Sequence, residues 1–399
     1  MIYNMNSLNT PCYIINKKVF YKNVNCLAEA FKLHCGPNLR LGYSIKTNHY
    51  SWFLKEAQEM NFMAEAVSGD ELELAINEGF DPQNIILNGP QKREKDIELI
   101  LRSGGILNVD NFNDINIIKK LANLNQKGLT GKVGLRVNFD LEKICDGETT
   151  AGKEVSRFGL SLENGDIKNA IEMLKEVEVP IAGLHLHFST KTRSRKIFST
   201  LAQVAVKIIS EYLLDDIEYI DIGGGFFGGQ KNRNYPTMQE YAESICDELK
   251  TIIDPAKVIL ILEPGASIVA TSVEYLTKII NERNIRNTKV LTTDGSILHI
   301  NPFMSSRIPH IERINDGKKR KLLPNQIIAG STCMENDRFI SLHNCPELLV
   351  NDILKITYVG AYTMAFNSCF INIPPKIYVE EENGWRLLRK PELYLAKLI

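Results

Sequence analysis

LRLGYSIKTN, residues 39–48, is the stretch that decides which fold the sequence predicts. Apolar or β-prone residues occupy every second position from Leu39 to Ile45, which predicts a short strand that ends on Lys46. Seven further strand-like runs follow, each succeeded by helical periodicity, at 62–67, 84–87, 105–110, 132–138, 181–189, 218–222 and 257–262. The series predicts an α/β fold, a (β/α)8 TIM-like barrel, in which chemistry takes place at the carboxyl ends of the strands.

Lys46 stands at such a strand end, after an aromatic and an apolar residue. Partial burial there lowers the pKa of an amine and favours its use as a nucleophile. A surface lysine just beyond a strand is the plain alternative, and the other strand ends decide between the two.

Capping motifs and changes in periodicity along the rest of the chain predict its domains. Capping boxes are predicted at Ser68 with Glu71 and at Thr237 with Glu240, and the long polar loop 139–159 is a candidate lid. After residue 266, helical periodicity nearly vanishes and β-branched runs alternate with turn residues. We therefore predict an N-terminal segment, 1–30, packed on a C-terminal β domain, 267–399, with the barrel at 31–266.

The composition of the 399-residue chain excludes several classes of function. A net charge of −1 argues against a nucleic-acid or anionic-membrane partner, because such partners require a concentrated positive field. No run of about 18 apolar residues predicts a membrane span, and no secretory signal is expected at the amino terminus. The eight cysteines show no CxxC pair, which favours free thiols in a reducing cytoplasm.

The sixth predicted strand ends GLHLHFST, which places His185, His187 and Ser189 on one face. The two histidines could bind zinc, but no third ligand stands at a usual spacing, so no metal is expected. Two buried histidines without chemistry are the plain alternative. The more specific hypothesis is that one of the flat imidazole rings stacks on an aromatic cofactor.

The seventh and eighth strands end DIGGGFFGG and ILEPGAS. Gly223, Gly225 and Gly228 satisfy G-x-G-x-x-G, but the position after the seventh strand excludes a dinucleotide site. Consecutive glycines can still hold a single phosphate, or simply form a tight turn. Glu263 could pair with a protonated ring nitrogen. A lysine, an imidazole, a glycine loop and a carboxylate together are the parts of a pyridoxal phosphate site.

Through YSIKTN, EAVSGDEL, SRFG, HLHFST, DIGGGF, EPG, GSTCMEND and GAYT, the chain resembles the pyridoxal-phosphate-dependent decarboxylases of the diaminopimelate and ornithine decarboxylase type, which have an alanine racemase-like fold. The resemblance implies that Lys46 forms the covalent link to pyridoxal 5'-phosphate. It also implies that Cys333 is inserted into the site by a partner subunit, in a head-to-tail homodimer with shared active sites.

The same resemblance implies the residues that hold the cofactor. His187 stacks on the ring, Glu263 pairs with the ring nitrogen, and the phosphate is held by Thr190, Gly224, Gly225 and Tyr362. Where the family has Gly-Ser in the phosphate loop, this chain has Ser189-Thr190.

The substrate end of the site departs from the family pattern. An arginine of EPGR is replaced by Ala266, and an Arg-Pro that grips a distal carboxylate is replaced by Asn301-Pro302. The acid that follows the cysteine is replaced by Met334, although Glu335 and Asp337 lie close in sequence. The departures predict a substrate whose far end is masked.

We therefore expect decarboxylation of an amino acid or amino-acid conjugate in specialised biosynthesis, of the siderophore, antibiotic or polyamine type. Arg193, Arg195 and Arg307 are possible contacts for such an extended substrate, or solvated surface charges. The alternatives are a diaminopimelate decarboxylase of lysine biosynthesis, an amino acid racemase and a non-enzymatic carrier of pyridoxal phosphate.

Overall fold

The computed structural model describes residues 8–125, 128–212, 214, 216–229, 234–306, 308–314, 317–366, 370–382 and 384–389. The chain divides into two compact units. One consists of Asn23–Ser267, and the other combines Met1–Lys22 with Ile268–Ile399. Strand β1 (Cys12–Ile15) belongs to the second unit, and helix α1 (Lys17–Cys35) leads from it into the first.

Parallel strands form a closed barrel in the first unit, which confirms the predicted (β/α)8 fold. The ring begins with β2 (Leu39–Ser44), β3 (Met63–Ala66), β4 (Ile85–Leu87), β5 (Ile106–Val109) and β6 (Lys132–Asn138). The two-residue strand β7 (Leu160–Ser161) pairs with β6 outside the ring. The ring continues with β8 (Ile181–His185), β9 (Tyr219–Asp221) and β10 (Ile259–Leu262), and β10 pairs with β2, so the sheet closes.

Helices connect these strands, and the first part of the predicted loop 139–159 forms one of them, α6. They are α2 (Ser51–Glu59), α3 (Gly69–Asn77), α4 (Glu94–Ser103), α5 (Phe112–Asn125), α6 (Leu141–Ile144), α7 (Asp166–Lys175), α8 (Arg195–Tyr212) and α9 (Met238–Leu249). None of the described helices combines the length and the apolar character that a bilayer span requires.

Helix α9 begins with the predicted capping box, because Thr237 and Glu240 each accept a hydrogen bond from the backbone of the other. At α3 only half of the predicted box forms. The Ser68 side chain accepts from the backbone of Glu71 at 3.1 Å, but the Glu71 carboxylate accepts from the backbone of Val67 at 2.9 Å. The carboxylate therefore reaches one residue further back than the capping box requires.

The side chain of Tyr219 fills part of the barrel interior and packs against two glycines. Tyr219 is fully buried, and a Cβ on Gly134 or Gly183 would overlap its ring or hydroxyl. Glycine at these two strand positions therefore makes room for the tyrosine. Apolar side chains pack around it, namely Ile86, Ile106, Ala182 and Ile261.

The second unit is a nine-stranded sheet. After the short helix α10 (Ala266–Val269), its strands are β11 (Val273–Ile285), β12 (Thr288–Thr293), β13 (Ile311–Arg313), β14 (Leu322–Ala329), β15 (Arg338–Pro346), β16 (Ile353–Ile356), β17 (Lys376–Glu381) and β18 (Gly384–Arg389). Residues 267–272, expected to open a strand, form helical turns instead, in which Ser272 donates to the backbone oxygen of Val269 at 2.9 Å. Strand β1 joins this sheet between β11 and β17.

The expectation that the cysteines are free thiols was wrong at two positions. Cys35 at the end of α1 and Cys246 in α9 form a disulfide, with their Cα atoms 5.3 Å apart. Spacing along the chain does not reveal it, because the two residues are separated by 211 positions. Five other described cysteines are free, namely Cys12, Cys26, Cys145, Cys333 and Cys345, and Cys369 lies outside the described residues.

Candidate active site

A cavity of about 1190 Å³ opens at the carboxyl ends of the barrel strands. Polar and charged side chains at or just beyond six strand ends line it: Lys46, Glu65, Asn88, Arg136, His187 and Glu263. Most of the predicted lid lines the same cavity, namely residues 139–143, 146 and 149–158. Its volume exceeds the usual range of ligand sites, so it has room for a cofactor together with a substrate.

Lys46 lies in a single 3₁₀ turn, Ile45–Thr47, directly after β2. Its Nζ contacts Oε2 of Glu65, whose side chain is 1% exposed, whereas the side chain of Lys46 is 31% exposed. The buried carboxylate therefore holds the amine at the cavity wall while one side of the amine stays accessible to a ligand.

Glu263 directly follows β10 and is buried. Nδ2 of Asn88 donates to its Oε1 at 2.5 Å, and Nε2 of His185 lies 3.6 Å from its Oε2. Burial alone raises the pKa of Glu263, but His185 and Lys46 outweigh burial and hold it well below its usual range. Burial and the charge of Glu263 raise the pKa of Asp221 well above its usual range. The two acids therefore hold one negative charge, on Glu263.

His187 lies two residues beyond the end of β8. Its ring is nearly parallel to that of His185, with an angle of 12° between the planes and 6.2 Å between the centroids. Its Nδ1 accepts a hydrogen bond from the backbone of Gly224 at 3.2 Å. Burial, followed by the charge of Arg136, lowers the pKa of His187 to about 3, so its ring is neutral near pH 7.

The glycine loop packs against both of these residues. Gly223 and Gly225 have φ angles of 68° and 97°, which strain any residue with a side chain. A Cβ on Gly224 would overlap the backbone oxygen of Glu263, and one on Gly223 would crowd the His187 ring. No described atom lies within 4 Å of the position of a Cβ on Gly225. The loop thus combines tight packing at its start with open space beside its third glycine.

Arg136 on β6 was not predicted as a site residue. Its Nη1 donates to Oδ1 of Asp110 at 3.0 Å, and its guanidinium lies 4.6 Å from the centre of the Phe158 ring. The guanidinium of Arg157 lies 4.2 Å from the same ring. Phe158 therefore carries two cations at the cavity wall, one anchored by a buried acid and one exposed.

The predicted lid is folded on itself near its start and attached to the segment after β8 at its middle. The Glu142 carboxylate accepts the backbone hydrogens of Gly147 and Thr149 at 2.7 and 3.0 Å. Thr149 forms an isolated bridge with Thr190, and the backbone of Thr150 donates to that of Ser189 at 2.9 Å. Thr190, predicted to hold a phosphate, thus contacts the lid and is outside the set of cavity-lining residues, whereas its neighbour Ser189 lines the cavity.

Cys333 and Tyr362 belong to the second unit, whereas the other predicted site residues belong to the first. Both are exposed, and Tyr362 is 39% exposed. Asp337, considered as a substitute for the acid after Cys333, is buried and accepts from Ile297 and Thr332 at 2.6 to 2.9 Å. The Asp337 side chain therefore stabilises the local structure around residues 297 and 332–337.

The other replaced positions have local partners too. Glu335 is 93% exposed and paired with Arg338, and Asn301 bonds to the backbone of Ser305. Of the arginines predicted as contacts for an extended substrate, Arg193 stacks on Phe227 and Arg195 pairs with acids of α9. Neither lines the cavity, and Arg307 lies outside the described residues.

Sequence reasoning missed Glu65, Asn88, Arg136 and the pairing of Asp221 with Glu263. Each of these residues lies at or near the carboxyl end of a barrel strand, so strand position was the signal that could have found them. Spacing along the chain also missed one group of potential metal ligands. His185, Asp221 and Glu263 are all buried, with potential ligand atoms within 4.8 Å of one another, although they are far apart in sequence.

Comparison with known proteins gives the family to which these features belong. The family described as "Pyridoxal-dependent decarboxylase, pyridoxal binding domain" matches residues 21–270. The diaminopimelate decarboxylase of Methanocaldococcus jannaschii is 26% identical over 396 residues, which cover 96% of this chain and 89% of that protein. A crystal structure of the M. jannaschii enzyme matches 98% of this chain and 92% of that chain, with a TM-score of 0.87 and 25% identity.

Two further proteins also match the chain, one in sequence and one in fold. The probable chloroplastic diaminopimelate decarboxylase of rice is 25% identical over 393 residues, covering 96% of this chain and 78% of that protein. The arginine decarboxylase of Paramecium bursaria Chlorella virus matches with a TM-score of 0.78 at 19% identity, over 94% of this chain and 96% of that chain.

Proposed function

Because the chain belongs to the pyridoxal-dependent decarboxylase family and is a pyridoxal-phosphate-dependent carboxy-lyase, we propose that its substrate is diaminopimelate. The observation that carries this proposal is the likeness to proteins named diaminopimelate decarboxylases over 96% of this chain. A crystal structure of the M. jannaschii enzyme holds L-lysine, the amino acid that remains when diaminopimelate loses one carboxylate. The names of the relatives thus favour this substrate over the conjugate that the sequence departures predicted.

The cavity residues fit pyridoxal phosphate. Glu263 is buried, ionised and hydrogen-bonded, as a partner of a protonated ring nitrogen must be. The neutral ring of His187 offers a flat face for stacking, and Lys46 offers an amine beside the cavity. The open space beside Gly225 suits a phosphate, with Gly224, Thr190 and Tyr362 as its other proposed partners.

When bound, pyridoxal phosphate supplies an electron-withdrawing ring that accepts the electron pair left by the departing carboxylate. In this chain, Lys46 Nζ would hold the cofactor, and the same amine would help to release the product. Glu263 would keep the ring nitrogen protonated, and His187 would stack on the ring. The loop 139–159 would exclude water, which favours loss of a charged carboxylate. Lys46 Nζ or Cys333 Sγ would supply the proton to the substrate carbon.

The distal carboxylate of diaminopimelate needs a cation, because an unpaired buried charge costs several kcal/mol. Ala266 and Asn301 cannot supply one. Arg157 lines the cavity, stacks on Phe158, and is absent from every described ion pair. We assign the contact to the distal carboxylate to Arg157.

A homodimer is part of the proposal. Cys333 is an exposed thiol, and apolar side chains on the same unit are exposed as well, with Phe303 at 64% and Phe366 at 47%. Asn336 reaches Met304 Sδ at 3.2 Å and so ties the Cys333 loop to this apolar patch. A second copy that covers the patch would bury these groups and bring Cys333 to a neighbouring site. The cytoplasm is the proposed compartment.

A conjugated amino acid is the second candidate substrate. Alanine, asparagine and methionine at 266, 301 and 334 favour it, as does a cavity of about 1190 Å³. A racemase is disfavoured, because the relatives are named as decarboxylases.

Release of carbon dioxide from meso-diaminopimelate, and from the same compound with its distal carboxylate amidated, tests the proposal. We expect kcat/KM of at least ~10⁴ M⁻¹s⁻¹ on the free acid. Arg157→Gln should raise KM for the free acid at least tenfold, by about 1.4 kcal/mol, and leave KM for the amide unchanged. Turnover confined to the amidated compound would replace diaminopimelate by the second candidate.

A further inference from the structure

Asn88 joins the two acids of the site. It directly follows β4 and is 2% exposed. Its Nδ2 donates to Oε1 of Glu65 at 3.1 Å and to Oε1 of Glu263 at 2.5 Å. Both hydrogens of one amide are therefore used, one on the acid that contacts Lys46 and one on the acid that faces the cofactor ring.

Two further hydrogen bonds fix the orientation of the Asn88 amide. Oδ1 of Asn88 accepts from Nδ2 of Asn108 at 2.9 Å, and Oδ1 of Asn108 accepts from the Tyr219 hydroxyl at 2.7 Å. Burial raises the pKa of Tyr219 well above its usual range, so the hydroxyl stays a donor. The donors thus run in one direction, from Tyr219 through Asn108 and Asn88 to the two carboxylates. Bonds aligned in this way polarise and strengthen one another in a dry interior.

We propose that Asn88 is a positioning residue that holds Glu65 and Glu263 at one fixed spacing, and through them the Lys46 amine and the ring-facing carboxylate. A single side chain would then align both the amine that would hold the cofactor and the carboxylate that would face its ring nitrogen. This inference concerns cofactor binding and does not depend on which amino acid is the substrate.

The neighbouring residues offer a matched control. Asn88→Ala removes a donor from each carboxylate, whereas Tyr219→Phe breaks the same buried chain two steps away and leaves both bonds to the carboxylates in place. Asn88→Gln keeps the amide on a side chain that is longer by one methylene. General damage to the barrel affects all three variants, but only the Asn88 variants disturb the spacing of the two acids.

The experiment titrates each apoprotein with pyridoxal phosphate and records the affinity and the absorption spectrum of the bound cofactor, without substrate. We expect Asn88→Ala to weaken binding at least roughly tenfold, since a hydrogen bond to a charged group is lost, and to change the spectrum. Tyr219→Phe should stay within about threefold of the native affinity, with a native spectrum.

A native affinity and spectrum in Asn88→Ala would overturn the inference, and so would an equal loss in Tyr219→Phe. If Asn88→Ala does not fold, the same measurement on Asn88→Gln decides: a changed spectrum supports the inference and a native one overturns it.

Discussion

Replacement of Lys46 by alanine is expected to give a folded protein that lacks a covalently bound cofactor and has no activity. The change also removes the cation that contacts buried Glu65. Breaking a fully buried ion pair costs about 3–5 kcal/mol, because the remaining charge is left without a partner. Lys46 is 31% exposed and Glu65 keeps its bond from Asn88, so solvent screening reduces the expected loss to about 2 kcal/mol.

Thermal unfolding of the apoproteins measures this loss, since bound cofactor would itself raise the stability of the native protein. For a unit of this size, about 2 kcal/mol lowers Tm by roughly 4–8 °C. The double variant Lys46→Ala/Glu65→Gln is the control, because it removes the orphaned charge. Its Tm should return part of the way to that of the native apoprotein.

Borohydride reduction in the presence of pyridoxal phosphate tests the chemical part of the same prediction. Native protein should retain the cofactor after denaturation, and Lys46→Ala should not. A reducible link that persists in Lys46→Ala would refute the assignment of the lysine. A Tm equal to that of the native apoprotein would refute the assigned role of the Lys46–Glu65 contact.

Mixing inactive Lys46→Ala and Cys333→Ala chains is expected to restore roughly a quarter of native activity, because half of the dimers are mixed and each has one intact site; no recovery despite demonstrated subunit exchange would argue for sites within single chains. Burial raises the pKa of Glu71 to about 7 from 4.5, so the folded state binds its proton more tightly and stability falls as pH rises between these values. In the Glu71→Gln variant, the free energy of unfolding from urea titrations should no longer decrease between pH 5 and pH 8 because of this group. An unchanged pH dependence would contradict the raised pKa. Tyr219→Phe should lower the free energy of unfolding by about 1–3 kcal/mol, since it leaves buried Oδ1 of Asn108 without its donor, and an unchanged urea midpoint would count against this bond.

The barrel could be predicted because each strand carries its own apolar pattern and each helix its own periodicity. The strand that ends on Lys46 and the one that precedes Glu263 were found in this way, within a few residues of their observed bounds. The sixth predicted strand was too long, since β8 ends at His185 and the chain then leaves the sheet. His187 still reaches the cavity, because the glycine loop, and not the sheet, fixes its ring.

The partners of Asn88 could not be predicted, because they lie 23 and 175 residues away in the chain. A hydrogen bond across a barrel leaves no periodic trace in the sequence. The same holds for Cys35 and Cys246, which are 211 positions apart. Strands and helices could thus be predicted from local patterns in the sequence, but contacts between distant strand ends could not.

The closure of the barrel has a consequence for how the chain acquires its cofactor. Strands β2 and β10, which lead to Lys46 and to Glu263, are hydrogen-bonded neighbours, with Leu41 opposite Leu262. This contact joins positions roughly 220 residues apart, and pairings of such long range form late and slowly in folding. A chain that still lacks β10 has Lys46 but not Glu263, which are both proposed partners of the cofactor. We therefore expect stable binding of pyridoxal phosphate only after β10 has paired with β2.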